Sequence, residues 1–224
     1  MTTDLAGSLP IARPDGLVSL AAKGDAEPFG RSGLVACIPA CDEAERIEAC
    51  VRAADEELRP GDGIVIFANN CRDDTAARAY AALARARRPW LLLDGVWAPG
   101  AGTAPKARRL AMDVAQALAP SAHLLSLDGD TIVRPGLREA YGRAFAAGFD
   151  LVCGAIGFHP EETERLPAAD PEQQRVVRDY RRLSRHLAAL IDPGSPFLEF
   201  GHLAGEGMYD GVPPGATIIT GVGQ

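Results

Sequence analysis

From residue 34 onward, short apolar runs alternate with longer segments in which apolar residues recur every three or four positions. The runs at 34–38, 64–67, 90–93 and 124–127 are too short for globular helices and read as buried strands. Between them, residues 42–58 place Ile47, Val51, Ala54 and Leu58 on one helical face, and 75–87 form an alanine-rich helix. Residues 105–118 turn Leu110, Val114 and Leu118 inward. Strands alternating with helices predict an α/β fold, a mostly parallel sheet with helices on both faces. A fifth strand is expected at 151–156. Asp170-Pro171-Glu172 supplies a side-chain cap and a first-turn proline to a helix ending near Ile191. Its apolar stripe is Val176, Tyr180, Leu183, Leu187 and Leu190. Residues 1–33, rich in Gly, Pro, Ala and Asp without a period, are expected to form an irregular arm before a domain at 34–224.

Composition narrows the classes. With 47% hydrophobic and 24% charged residues in 224, the chain reads as an ordinary globular protein. A net charge of −7 argues against a protein whose main task is gripping nucleic-acid phosphates. Five cysteines, odd in number and without the paired short spacings of a zinc site, read as reduced thiols in a cytoplasmic protein. No eighteen apolar residues run together, so no transmembrane segment is expected. Arg175, Arg178, Arg181, Arg182 and Arg185 give the last helix a cationic side, which leaves peripheral membrane contact open.

Chemistry concentrates where ligands of parallel sheets lie, at the carboxyl ends of the strands. Three polar clusters fall there: 41–43, 69–74 and 128–130. In the last, Asp128-Gly129-Asp130 delivers two carboxylates to the mouth of the sheet. Two ionised carboxylates about 4 Å apart repel by roughly 4 kcal/mol at an effective dielectric near 20. A divalent cation between them relieves this, and magnesium or manganese suits oxygen ligands. The alternative is a plain turn, for which Asp-Gly is a common pair.

Three blocks carry a resemblance: Val35-Ala36-Cys37-Ile38-Pro39-Ala40-Cys41-Asp42-Glu43, the run from Ile64 through Asn69-Asn70-Cys71-Arg72-Asp73-Asp74 to Thr75, and Leu124 to Asp130. In this order they resemble the family 2 glycosyltransferases of the GT-A fold, over roughly residues 34–160. The resemblance implies a Rossmann-like GT-A sheet and metal-dependent transfer of a sugar from a nucleotide-diphosphate donor to an unknown acceptor, with inversion. It implies a nucleotide-sugar half at about 34–130 and an acceptor half at about 131–224. It assigns the metal to Asp128 and Asp130, Asp130 also serving catalysis, with Gly129 beside the donor. Pro39, Ala40, Asp42 and Glu43 would line the nucleoside pocket, although Asp42 and Glu43 also suit a helix start. Asn69 and Asn70 would read the base, where the family often has aspartate at the position of Ala68; both also suit turns. Lys106 and Arg109, opening a helix, would face the donor phosphates; a pair of solvated surface cations is the other reading. Asp73 and Asp74 look like loop-ordering and capping groups.

An inverting enzyme needs a general base. Either it lies beyond Gln224, or Glu206 serves, with Asp210 and Glu199 as weaker candidates. His202 could complete a metal shell. Two other readings are a nucleotide-sugar-binding relative without turnover and a nucleotidyltransferase, the latter disfavoured because residues 39–43 are acidic where a basic glycine-rich loop is expected.

Overall fold

The apolar runs assemble into one five-stranded sheet of β1 (Leu17–Gly24), β2 (Leu34–Ala40), β3 (Gly63–Asn69), β4 (Trp90–Trp97) and β5 (His123–Ser126), in the order β1-β4-β3-β2-β5. The computed structural model describes residues 9, 11–25, 29, 33–149, 152, 154 and 170–191. It confirms the α/β class: β2 pairs in parallel with β3 and β5, and β3 with β4, while β1 runs antiparallel along β4. All seven residues of β3 are buried, and six of seven in β2, which is why these strands read as unbroken apolar runs. In β4 the first half is buried on both faces and the second half alternates.

Helices α1 (Ile47–Glu57), α2 (Thr75–Leu83), α3 (Ala104–Leu118) and α4 (Leu137–Ala146) connect or follow the strands. On one face of the sheet, Val35, Cys37, Val65, Phe67, Leu91 and Leu93 pack with Ala107, Leu110, Ala111, Val114 and Ala115 of α3 in a single apolar cluster. Helices α1 and α2 lie against each other outside that cluster and bury Ile47, Cys50, Val51, Ala54, Ala79 and Leu83. At roughly 25 cal/mol per Å2 of apolar surface, this two-sided burial is the main stabilising term.

Several boundaries differ from expectation for local reasons. The irregular arm foreseen at 1–33 contains β1. Its sequence, with Ala21, Ala22, Lys23 and Gly24 in the second half, shows no alternation of strand-favouring residues, and hydrogen bonding to β4 makes the strand. Helix α1 starts at Ile47 and not at residue 42, because Asp42 adopts a left-handed φ of 56° and the turn after it is committed to other bonds. Helix α2 stops at Leu83, where Arg85 N and Ala86 N donate to the oxygens of Ala82 and Leu83 and tighten the last turn. Helix α4 carried no legible start signal. Its Arg138 N–H is satisfied by the remote Glu57 carboxylate at 3.0 Å.

The described residues divide into two compact units, one up to Gly142 and one from Arg143 onward. In the second unit, α5 (Pro171–Ile191) opens as expected, with Glu172 N donating to Asp170 Oδ1 at 2.9 Å. The strand expected at 151–156 lies outside the described residues save Val152 and Gly154.

One buried ion pair ties α4 to the start of β3. Asp62, 3% exposed at its side chain, accepts from Arg138 Nε at 2.7 Å and from Arg59 N at 2.9 Å. Removing one partner of a buried pair strands the other charge, at a cost of about 3 kcal/mol or more. Urea unfolding of Arg138→Ala, followed by fluorescence of Trp90 and Trp97 in β4, is expected to show a loss of that size, whereas Arg85→Ala, which breaks an exposed pair with Glu48, should cost under about 1 kcal/mol.

Candidate functional site

From β2 the chain steps to β3 and then β4 on one side, and later places β5 on the other. The direction of winding therefore reverses between β2 and β5, and at such a switch point a crevice opens outside the carboxyl ends of the strands. Two turns flank it, 41–44 after β2 and 128–131 after β5.

The first turn is latched to the loop after β3. Asp42 accepts from Arg72 N at 2.6 Å and pairs with Arg72 Nε at 3.5 Å. Glu43 N donates to Thr75 Oγ1 at 2.7 Å, the Thr75 hydroxyl donates to Asp73, and Asp73 also accepts from Ala44 N at 3.1 Å. These bonds hold Asp73 below the usual carboxylate range, the Thr75 hydroxyl contributing most. Asp73 thus orders the loop and accepts from Thr75 N at the start of α2, while Asp74 makes no side-chain cap bond. The Cys71 thiol donates to Ala40 O at 3.5 Å. Among the described residues, Asp42, Cys71 and Asp73 form a group compact enough to hold an ion. Each already has a partner within the latch.

The second turn closes on itself: Thr131 N donates to Asp128 O at 3.1 Å, and Asp128 N to Thr131 Oγ1 at 3.2 Å. Gly129 packs so tightly that a Cβ would stand 3.1 Å from both Ala40 Cβ and Glu43 Cγ. A side chain at 129 would require Ala40 or Glu43 to give by a few tenths of an ångström, so glycine suits the place where the two turns meet. Glu43's carboxyl is pushed up, first by burial and then by the negative charge of Asp130, with Arg46 at 3.4 Å opposing. Asp130 is exposed, and among the described residues no ion pair engages it.

Asp128 has a different fate. Its carboxylate is bound by Arg108 of α3, whose guanidinium also donates to Ser126 Oγ and to Leu127 O at 3.5 Å. The expected pair of free carboxylates is therefore split: Asp128 is neutralised by a resident cation, and Asp130 is grouped with Glu43. Arg108 was missed in the sequence because it sits among other basic residues at the start of a helix. Its signal was the proximity of α3 to β5, which the chain order makes consecutive.

The other expected residues divide in the same way. Pro39 and Ala40 end β2 at the crevice. Asn69 is buried at the end of β3, and its Oδ1 has no hydrogen-bond partner. Asn70, at a left-handed φ of 51°, accepts from Trp97 N at 2.7 Å and is a turn residue. Lys106 donates to Ala101 O at 2.9 Å and lies 5.8 Å from the Trp97 ring, and Arg109 pairs with Asp113 in solvent. Each of the two exposed cations thus has a partner within α3 or the loop before it. Glu206, Glu199, Asp210 and His202 lie outside the described residues.

Comparison with known proteins redirects the functional reading. No family model matches the chain. It is similar to the biotin-dependent 3-methylcrotonyl-coenzyme A carboxylase beta1 subunit of Mycobacterium tuberculosis, 63% identical over 35 residues, 16% of this chain and 7% of that protein. It is also similar to the mitochondrial methylcrotonoyl-CoA carboxylase beta chain of Dictyostelium discoideum, 48% identical over 54 residues, 23% of this chain and 9% of that one. The chain thus spans under a tenth of the length of these relatives. These matches overturn the expectation of sugar transfer through an Asp-x-Asp motif. The relatives are carboxylase subunits, and Asp128, half of that motif, is held by Arg108.

Two outcomes follow from the electrostatics. Burial pushes the thiols of Cys37 and Cys50 up to about 12, whereas Cys41 is exposed. Peptide mapping after brief alkylation at neutral pH should find Cys41 modified, and Cys37 and Cys50 modified only after denaturation. Glu43 binds its proton more tightly in the native state than in the unfolded one, so its contribution favours folding at low pH and fades as pH rises above the ordinary value of 4.5. Glu43→Gln should therefore gain in Tm relative to the parent as pH rises through that window; a difference independent of pH would refute the assignment.

Proposed function

We propose that the crevice between the ends of β2 and β5 is the binding site of an enzyme for a phosphorylated, nucleotide-type ligand, engaged through a divalent cation at Asp130 and Glu43. The observation that carries this reading is the coincidence of the topological switch point with two neighbouring acids, Glu43 and Asp130, where the charge of Asp130 helps to raise the Glu43 carboxyl. Carboxylate oxygens are the hard donors that magnesium-like ions take, and such ions complete their shell with water and ligand phosphates. When bound, the cation would screen the acidic edge from an anionic ligand. Arg108 keeps Asp128 and the end of β5 in place beside it. The unpartnered, buried Asn69 Oδ1 is an acceptor at the same edge of the sheet.

The names of the relatives supply the first ligand to try. They act on a coenzyme A ester, and coenzyme A is an adenine nucleotide with a diphosphate bridge. On this reading, the likeness of residues 35–43, 64–75 and 124–130 to the GT-A family is one of sheet architecture and strand-end loops. Sugar transfer is not part of it.

A thermal-shift series with coenzyme A and with nucleoside diphosphates, each with and without magnesium, tests the proposal. A ligand at about 100 times its Kd stabilises the native state by about 2.7 kcal/mol. The expected result is a Tm rise that needs the metal and is lost in Asp130→Asn/Glu43→Gln. No rise with any ligand, or the same rise in the double variant, would defeat it.

A further inference from the structure

The side chains of α5 are sorted by chemistry. Val176, Tyr180, Leu183 and Leu190 fall on one side of the helix at the 100° step per residue, and they are 58%, 70%, 59% and 69% exposed. Arg175, Arg178 and Arg182 lie on the other side and are exposed too. Over its 21 residues the helix carries five arginines against one aspartate and one glutamate, in a chain whose net charge is −7. Its positive charge is thus local and opposite in sign to that of the whole protein. No helix among the described residues is long and apolar enough to cross a membrane. A strongly segregated helix with arginines on its polar side and Val, Leu and Tyr on the other has the make-up of one that lies in a membrane interface.

We propose that α5 is an interfacial helix that seats its Val176–Tyr180–Leu183–Leu190 side at the headgroup boundary of an anionic lipid surface. Charge complementarity selects this occupant. A surface of lipid phosphates attracts the cationic helix within about a Debye length, about 10 Å at 0.1 M salt, and repels most of the remaining acidic surface. Attraction therefore acts through α5 and orients the chain on the bilayer. Tyr180 suits the boundary because its ring is apolar and its hydroxyl is polar. This inference is independent of the ligand proposed for the crevice.

Co-sedimentation of the full chain with vesicles tests it. One set is phosphatidylcholine alone, and the other is equal parts phosphatidylcholine and phosphatidylglycerol. The protein should pellet at least about ten-fold more with the anionic vesicles and should be released at high salt. Leu183→Glu/Leu190→Glu and Arg175→Glu/Arg178→Glu/Arg182→Glu should each lose the binding while keeping the parent's tryptophan emission, which reports the sheet. Equal binding to both vesicle types, no binding, or unchanged binding after the arginine reversal would overturn the proposal. So would a dimer, seen by light scattering without lipid, that Leu183→Glu/Leu190→Glu dissolves.

Discussion

The burial of β2 and β3 on both faces is the constraint from which the rest of the first unit follows. A strand with helices above and below has no position along its length where a charge can stay hydrated, so β2 and β3 carry no charged residue and the acids lie past their ends. That displacement gathers Asp42, Glu43, Asp73, Asp128 and Asp130 at one edge. It also makes the edge electrostatically crowded, because acids on adjacent turns cannot move apart without breaking the sheet register.

The protein answers that crowding in three ways. Asp42 and Asp73 are spent on backbone and side-chain donors, which turns two acids into a clasp between loops. Asp128 receives an internal cation from α3. Glu43 and Asp130 are left with the weak opposition of Arg46, and there the negative charge of Asp130 still raises the Glu43 carboxyl. The charge left at this edge therefore rests on the disposition of the neighbours more than on the acids themselves.

The sequence made the architecture readable because its strongest signals are those of burial. The unbroken apolar runs of β2 and β3, the stripe Leu110–Val114 in α3 and the Asp170-Pro171 helix start all correspond to elements of the structure. What escaped was held by distant partners: β1 exists because β4 offers it hydrogen bonds, and α4 is capped by Glu57. The site was half legible. The Asp-Gly-Asp turn was located correctly, but nothing local to it announced that Arg108 would take one carboxylate and that the charge of the other would act on Glu43. Short blocks around strand ends reflect how a parallel sheet must turn its corners, so they spoke to fold more reliably than to chemistry.

The antiparallel strand β1 has a role beyond enlarging the sheet. It closes the outer side of β4, whose Leu91 and Leu93 belong to the core, and Arg13 in turn covers carbonyls of Leu17 and Val18. A protein that lost β1 would give up Leu17 and Ala22 from its core cluster, keep its switch point and present the bare amide row of β4 to solvent. Such a row is a template for intermolecular strand addition. The unpromising N-terminal stretch is thus a guard against self-aggregation, and its proteolytic loss would first be felt as insolubility with the crevice still intact.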